Sequence, residues 1–337
     1  VQPPVPVNRS MQMSNSWGRT VWGLGVLACA AVGRSDAQAV TAVRVADDVL
    51  CAACAITART TSVLTLPRDT TDGFPVRVTV DSRGRYFVFR RADVPLVFDS
   101  QGRLLQALGR RGLGLGDFFM AYDGLLIGRD SILILDAIGQ RGTVVDSSLV
   151  PVGFATIPFK LSSPVVLAWP NAVIASGSVP TPASAGWPLH QVSFASGDAA
   201  WTRSFGSGDG ELRPDGAFGQ LHELAPANGG GFWSLAVRSY DVSRWDADGN
   251  VRLSFSRRPA WFRHASAFNY DWRSEPPPPH MAAVAEDAEG LVWVFVRVPS
   301  RTWKEAWPNV PANVGEVPGR LIKSEKLFGT MIEVIDP

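Results

Sequence analysis

An all-β fold is predicted by three features of the chain. From residue 61 onward the apolar runs are four to seven residues long, rich in Val, Ile, Phe and Trp, and separated by Asp-Gly or other glycine-containing turns, which is how strands read. No stretch sustains a 3.6-residue apolar period over three turns, so helices are few. The strands recur in groups of four at a nearly constant spacing, the signature of a propeller whose blades are four-stranded sheets.

The groups can be followed in order. "VRVTV", "RYFVF", "PLVFD" and "LLQAL" cover 76–108; "LLIG", "SILILD", "GTVVDS" and "VGFATI" cover 125–157; "VVLAW", "AVIASG", "HQVSFAS" and "AWTRSF" cover 165–205. "HELAPA", "GFWSLAV", "DVSRWD" and "VRLSF" cover 222–255, and "AAVAED", "LVWVFVR" and "MIEVIDP" close the chain. The third strand of each group ends alike, at "VFDS" 97, "VVDS" 144, "FASG" 194, "RWDA" 244 and "VIDP" 334. The spacings are 47, 50, 50 and 90, the last stretched by a proline- and tryptophan-rich insertion at 299–329. Five blades are therefore countable.

Composition supports this reading. The chain has 337 residues, 46% apolar and 19% charged, enough for one large or two medium domains. Glycine (32), proline (25) and tryptophan (12) are plentiful, as turns and aromatic packing between layers require. The net charge is +1 with scattered basic residues, which excludes the electrostatic footprint of nucleic-acid binding.

The N-terminal region stands apart. Arg19, the apolar run "VWGLGVLACAAV" (21–32) and the small-residue site Ala37-Gln38-Ala39 have the pattern of a secretory signal peptide, with the start of translation within or before residues 1–12. The run is too short for an integral membrane span. Cleavage near Ala39 predicts an extracytoplasmic protein, periplasmic or secreted. Lipid anchoring through Cys29 is the alternative, which Leu27 fits poorly. Residues 40–60 then form a short segment and 61–337 a single propeller domain. Within the segment, Cys51-Ala-Ala-Cys54 lacks the second pair a zinc site needs, the His after it that haem attachment needs, and a βαβ context for thioredoxin-like chemistry. In an oxidising compartment, a local disulfide between Cys51 and Cys54 is expected.

The stretch "VTVDSRGRYFVFRRADVPLVFDSQGRLLQALGRRGLGLGDF" resembles an NHL-type repeat: a strand ending in Asp-x-x-Gly, an aromatic-aliphatic strand, "V-F-D-x-x-G", and a glycine-rich exit closing on Phe. With "PPPPHMAAVAEDAEGLVWVFVRV", "WKEAW" and "MIEVIDP", the chain resembles exported bacterial six-bladed, TolB-like propellers of unassigned function over roughly 48–337. That resemblance implies six blades, a fourth strand after Pro337 and a further blade beyond it. The alternative is a five-bladed ring whose last blade is completed by the N-terminal strand "SVLTL" (62–66), since a closed ring removes exposed edges.

Candidate sites follow from this frame. The run "GRRGLGLGDF" (109–118) lacks the Lys-Ser/Thr of a phosphate loop and the helix of a dinucleotide site, and reads as a connector between blades. Asp246-Ala-Asp-Gly-Asn250 lacks the distal glutamate of a calcium loop and reads as a hairpin turn. His222 and His280 precede or open innermost strands and, with Glu223, could bring two imidazoles and a carboxylate to one mouth of the central channel, the minimum for a catalytic metal. The insertions "WFRHASAFNYDW" and "RTWKEAW" offer Trp261, Phe262, Tyr270, Trp272, Trp303 and Trp307 to a protein, peptide or glycan. Two functions are thus open: a binding module without cofactor, or, as the resemblance implies, a lyase or lactonase-like hydrolase using a divalent metal in the channel.

Overall fold

The computed structural model describes residues 41–43, 60, 62–67, 75–90, 93–127, 130–136, 138–157, 166–169, 172–176, 187–193, 200–206, 221–262, 274–306 and 324–337. Cys29, Cys51, Cys54, Tyr270, Trp272 and Trp307 lie outside them.

Among the described residues the strands form five sheets, the five blades of a β-propeller. A three-residue strand, β1 (Thr41–Val43), comes first. Blade 1 is β2 (Pro75–Val80), β3 (Tyr86–Arg90), β4 (Leu96–Phe98) and β5 (Leu104–Ala107). Blade 2 is β6 (Ala121–Ile127), β7 (Ser131–Asp136), β8 (Arg141–Val145) and β9 (Pro151–Thr156). Blade 3 is β10 (Val166–Trp169), β11 (Ala172–Ser176), β12 (Leu189–Ser193) and β13 (Ala200–Phe205). Blade 4 is β14 (His222–Pro226), β15 (Phe232–Ala236), β16 (Asp241–Trp245) and β17 (Val251–Ser256). Blade 5 is β18 (His280–Glu286), β19 (Val292–Pro299) and β20 (Phe328–Ile335). A short 3-10 turn (Trp303–Ala306) and the four-residue helix α1 (Ser324–Leu327) stand between β19 and β20.

Each blade is an antiparallel meander, and the innermost strands pack in order, β2 on β6, β6 on β10, β10 on β14 and β14 on β18. Burial explains the sequence pattern. The second strands of blades 1 to 4 are covered on both faces, so they read as continuous apolar runs such as "YFVF" and "ILIL", whereas β19 of blade 5 alternates. The outermost β5 is exposed throughout. Apolar clusters fill the wedges: Phe87 and Phe89 meet Ile132 and Ile134 between blades 1 and 2, and Leu133 and Leu135 meet Val173 and Val192 between blades 2 and 3. Ile174 and Phe205 meet Phe232 and Trp245 between blades 3 and 4, where the Phe232 and Trp245 rings stack 5.9 Å apart. Trp233 and Phe255 meet Val294 and Ile335 between blades 4 and 5. Each fully buried aliphatic or aromatic side chain contributes about 1.5–3 kcal/mol of transfer free energy.

The N-terminal expectation needs correction. Residues 62–66 form no strand and do not complete blade 5. Leu64 and Leu66 instead cover the free face of blade 1, against Val88, Leu96 and Phe98, and the Ser62 hydroxyl donates to the Ser100 carbonyl at 3.2 Å. Packing there takes part of both leucines out of water against an apolar sheet face. The strand that does extend a blade is β1, parallel to β17 with Thr41 opposite Leu253. No sixth blade is formed among the described residues.

A repeated turn sets the register of the blades. Asp81, Asp99, Asp146, Asp246 and Asp287 each use one carboxylate oxygen to accept two backbone N–H groups, two and four residues on. At Asp246 partial burial opposes ionisation, but Asn250, Asp248 and Arg252 outweigh it and hold the carboxyl below its ordinary range. The turn expected at 246–250 is therefore a hairpin closed by its own aspartate. Asp246→Ala strips two backbone donors and the Arg252 partner, and should cost about 1–2 kcal/mol, read as a thermal midpoint lower by a few degrees.

Candidate functional edge and channel mouth

The meander sorts the connections onto two edges. On one edge all are short: 81–85, 99–103, 128–130, 146–150, 170–171, 194–199, 227–231, 246–250 and 287–291. The longer connections, 108–120, 157–165, 177–188, 206–221, 257–279 and 300–327, all leave from the other edge, where each innermost strand begins. Contacts between blades confirm that these starts share one edge. The His222 N–H, at the start of β14, donates to Ser176 Oγ at the end of β11 (2.6 Å), and the Met281 N–H donates to the Val237 carbonyl between β15 and β16 (2.9 Å).

Among its described residues the short-turn edge is tied together by its own hydrogen bonds. Besides the aspartate turns, Ser82 Oγ donates to Asp130 (3.0 Å), and Asn228 Nδ2 donates to the Asp287 carbonyl (2.6 Å). The long-loop edge holds the predicted metal and aromatic residues that are described, His222, Glu223, His280, Trp261, Phe262 and Trp303.

At the channel mouth, Glu223 on β14 meets Arg77 on β2 across the ring, with Arg77 Nη2 donating to Glu223 Oε2 at 2.7 Å. Burial pushes the Glu223 carboxyl up, and the guanidinium of Arg77 pulls against that shift. Arg77 was not legible as a site residue, because its partner is 146 residues away and only the curving array of blades brings them together. His222, next to Glu223 in an extended strand, projects to the opposite side. Its Nδ1 is sealed from solvent with no hydrogen-bond partner, and burial, opposed by Asp241, lowers its pKa to about 4. His280 opens β18 and sets its ring edge-on to Phe328, 4.9 Å between centroids; its pKa is lowered by burial first, against the Pro278 carbonyl and with Arg297 and Arg238 adding to the shift. The three residues proposed as metal ligands are therefore not gathered, and among the described residues no three His, Cys, Asp or Glu side chains form a group able to hold a metal.

The aromatics divide. Trp261 is 39% exposed. Phe262 is a correction: it is buried, packed edge-on against Tyr240 at 6.0 Å, so it anchors the connection instead of meeting a partner. Tyr240 is itself held by Glu333 and by Arg257, whose guanidinium lies 5.0 Å over the ring. Trp303 is half-buried in the 3-10 turn, with Lys304 Nζ 5.6 Å from its ring centre.

The glycine run 109–118 is a connector. The Arg141 guanidinium of β8 donates to the carbonyls of Leu113 (2.6 Å), Gly112 (3.3 Å) and Asp117. A loop that turns its carbonyls towards a buried cation is the reverse of a phosphate cradle, which presents N–H groups. Arg141 was missed in the sequence because a single arginine in "GQRGTVV" carries no signal of the loop it serves.

Fold and site together define a β-propeller, with five blades among the described residues and one elaborated edge. No protein-family model matches the chain, and no curated protein matches it. Among solved structures it is similar to a Bacteroides fragilis protein named as a candidate exported protein (11% identity, 71% of this chain and 72% of that one, TM-score 0.48). It is also similar to a DUF4221 family member from Bacteroides vulgatus (7%, 70% and 75%, TM-score 0.48) and to virginiamycin B lyase from Staphylococcus aureus (11%, 71% and 70%, TM-score 0.44). No helix among the described residues is long and apolar enough to cross a membrane.

Proposed function

We propose that this protein is an exported, NHL- or TolB-like propeller that works as a binding module, taking a protein, peptide or glycan on its long-loop edge. The observation that carries this reading is the asymmetry of the two edges. One is built from short turns, five of them closed by their own aspartates; the other bears every long connection, the exposed Trp261 and the cation-flanked Trp303. Exposed aromatics on loops held by a rigid scaffold supply contact area at low entropic cost. The reading includes export by the N-terminal signal with cleavage near Ala39, and a Cys51–Cys54 disulfide in the mature chain.

The test is direct binding of the purified mature chain to a displayed random-peptide library and to immobilised cell-wall glycan. A selected ligand should lose at least about tenfold in affinity on Trp261→Ala or Trp303→Ala, each equivalent to about 1.4 kcal/mol or more. Binding untouched by both substitutions removes the long-loop edge from the proposal, and no binding in either format counts against the module itself. One divalent ion per chain, lost on His222→Ala, would favour the metal-dependent hydrolase instead.

A further inference from the structure

We propose that the long-loop edge of blades 4 and 5 takes an anionic polysaccharide, a polymer of carboxylate-bearing sugar rings. This rests on the binding-module reading above and names the class of its ligand. Charge is the first observation. The whole chain carries 32 basic and 31 acidic residues, yet the connections 257–279 and 300–327 together carry nine basic residues against five acidic ones. The connection 206–221, which leads into blade 4 from blade 3, has the opposite sign, with Asp209, Glu211 and Asp215 against Arg213. The surplus is therefore local to one sector of the edge.

The fold leaves that surplus standing. Asp241 pairs with Arg258 (3.4 Å), Glu333 with Arg257 (2.9 Å) and Glu305 with Lys326, so these acids are engaged within the fold. Arg297, Arg301 and Lys304 are exposed and make no ion pair with a described residue; Glu275, likewise exposed and without an ion pair, offsets one of the three. Arg297 stands opposite His280 in the ladder of β18 and β19, and the pKa of that imidazole, lowered by burial first, also feels Arg297 and Arg238. Cations gathered on one edge raise the local concentration of a polyanion and release its counterions on contact. The aromatic rings favour a sugar polymer over an acidic peptide. Each connection sets an indole beside a cation: Arg258 stands three residues before the exposed Trp261, and Trp303 falls between Arg301 and Lys304, whose Nζ is 5.6 Å from the ring centre. A pyranose bearing a carboxylate offers the complementary pair in one unit, a flat face of C–H groups for the indole and an anion for the guanidinium or ammonium. Polyglutamate offers the anion alone.

Binding of the purified chain to immobilised polygalacturonate, with dextran as the neutral polymer and polyglutamate as the acidic peptide, tests this. Polygalacturonate should bind, dextran should not, and polyglutamate should bind at least about tenfold more weakly. Affinity for polygalacturonate should fall at least about tenfold between about 50 and 200 mM salt. Arg297→Gln and Arg301→Gln, both at exposed positions, should each weaken binding by about threefold or more and flatten the salt dependence, with an unchanged thermal midpoint. Trp303→Ala should weaken polygalacturonate binding more than polyglutamate binding. Equal binding of dextran, equal binding of polyglutamate, or a salt dependence untouched by both arginine substitutions overturns the proposal. A chain that captures a displayed peptide but not polygalacturonate keeps the binding module and overturns this ligand class, whereas failure with every ligand counts against both.

Discussion

Gly109→Ala should lower the folding stability by about 4 kcal/mol, near 10 °C in thermal midpoint. Gly109 sits at φ +66°, where a side chain costs about 1–2 kcal/mol in backbone strain alone. A Cβ there would lie 1.7 Å from the carbonyl oxygen of Gly116 and 2.9 Å from its carbon. Both are backbone atoms, so the connector must open. Opening it withdraws the carbonyls of Gly112, Leu113 and Asp117 from Arg141, whose side chain is buried in the wedge between blades 1 and 2. It also pulls at Leu108 and Phe118, which flank the connector and belong to the same apolar cluster as Phe87 and Ile134. Arg141→Met should reproduce part of the loss, about 2–3 kcal/mol, because the carbonyls lose their donors while the methionine keeps most of the volume. Thermal denaturation of both variants checks the argument; a Gly109→Ala protein that melts within about 2 °C of the parent would rule it out.

The blades were legible because their markers are local. Asp-x-x-Gly turns fix both the end of one strand and the start of the next within five residues, so "DSRGR", "DSQGR", "DADGN" and "DAEGL" revealed the register. The turn at Asp146 keeps the same hydrogen bonds with Leu149 at φ +66°, where the others have glycine. What could not be read was decided by how the blades pack around one another. Residues 62–66 have the composition of a strand, yet their leucines lie across the bare face of blade 1. Arg77 and Glu223 are ordinary in their own strands, and only the array of blades brings them within 2.7 Å. Trp261 and Phe262 are neighbours of like chemistry, and one is exposed while the other is buried because Tyr240 lies beneath only the second. Sequence identified the insertion; packing chose which ring stays exposed.

Acid should weaken the channel mouth through His222. The imidazole of an unfolded chain takes its proton near pH 6.5, whereas burial holds the folded one neutral down to about pH 4. Below pH 6.5 the unfolded state therefore binds more protons, and the folding stability falls as the pH drops towards 4. The residue as a whole is only half-buried, and the screening this allows lessens the effect, which should be about 2 kcal/mol across that window. The lowered pKa of His280 acts with the same sign. Glu223 acts with the opposite sign: its carboxyl is raised in the folded state, so it favours folding at low pH and loses that advantage as the pH rises through its folded value. Chemical denaturation at pH 7 and pH 4.5 should accordingly show a loss in the parent chain that is reduced in His222→Phe and enlarged in Glu223→Gln. The phenylalanine suits the site because Nδ1 has no hydrogen bond to forfeit. Equal pH dependence in His222→Phe and the parent would show that the His222 proton is not coupled to folding.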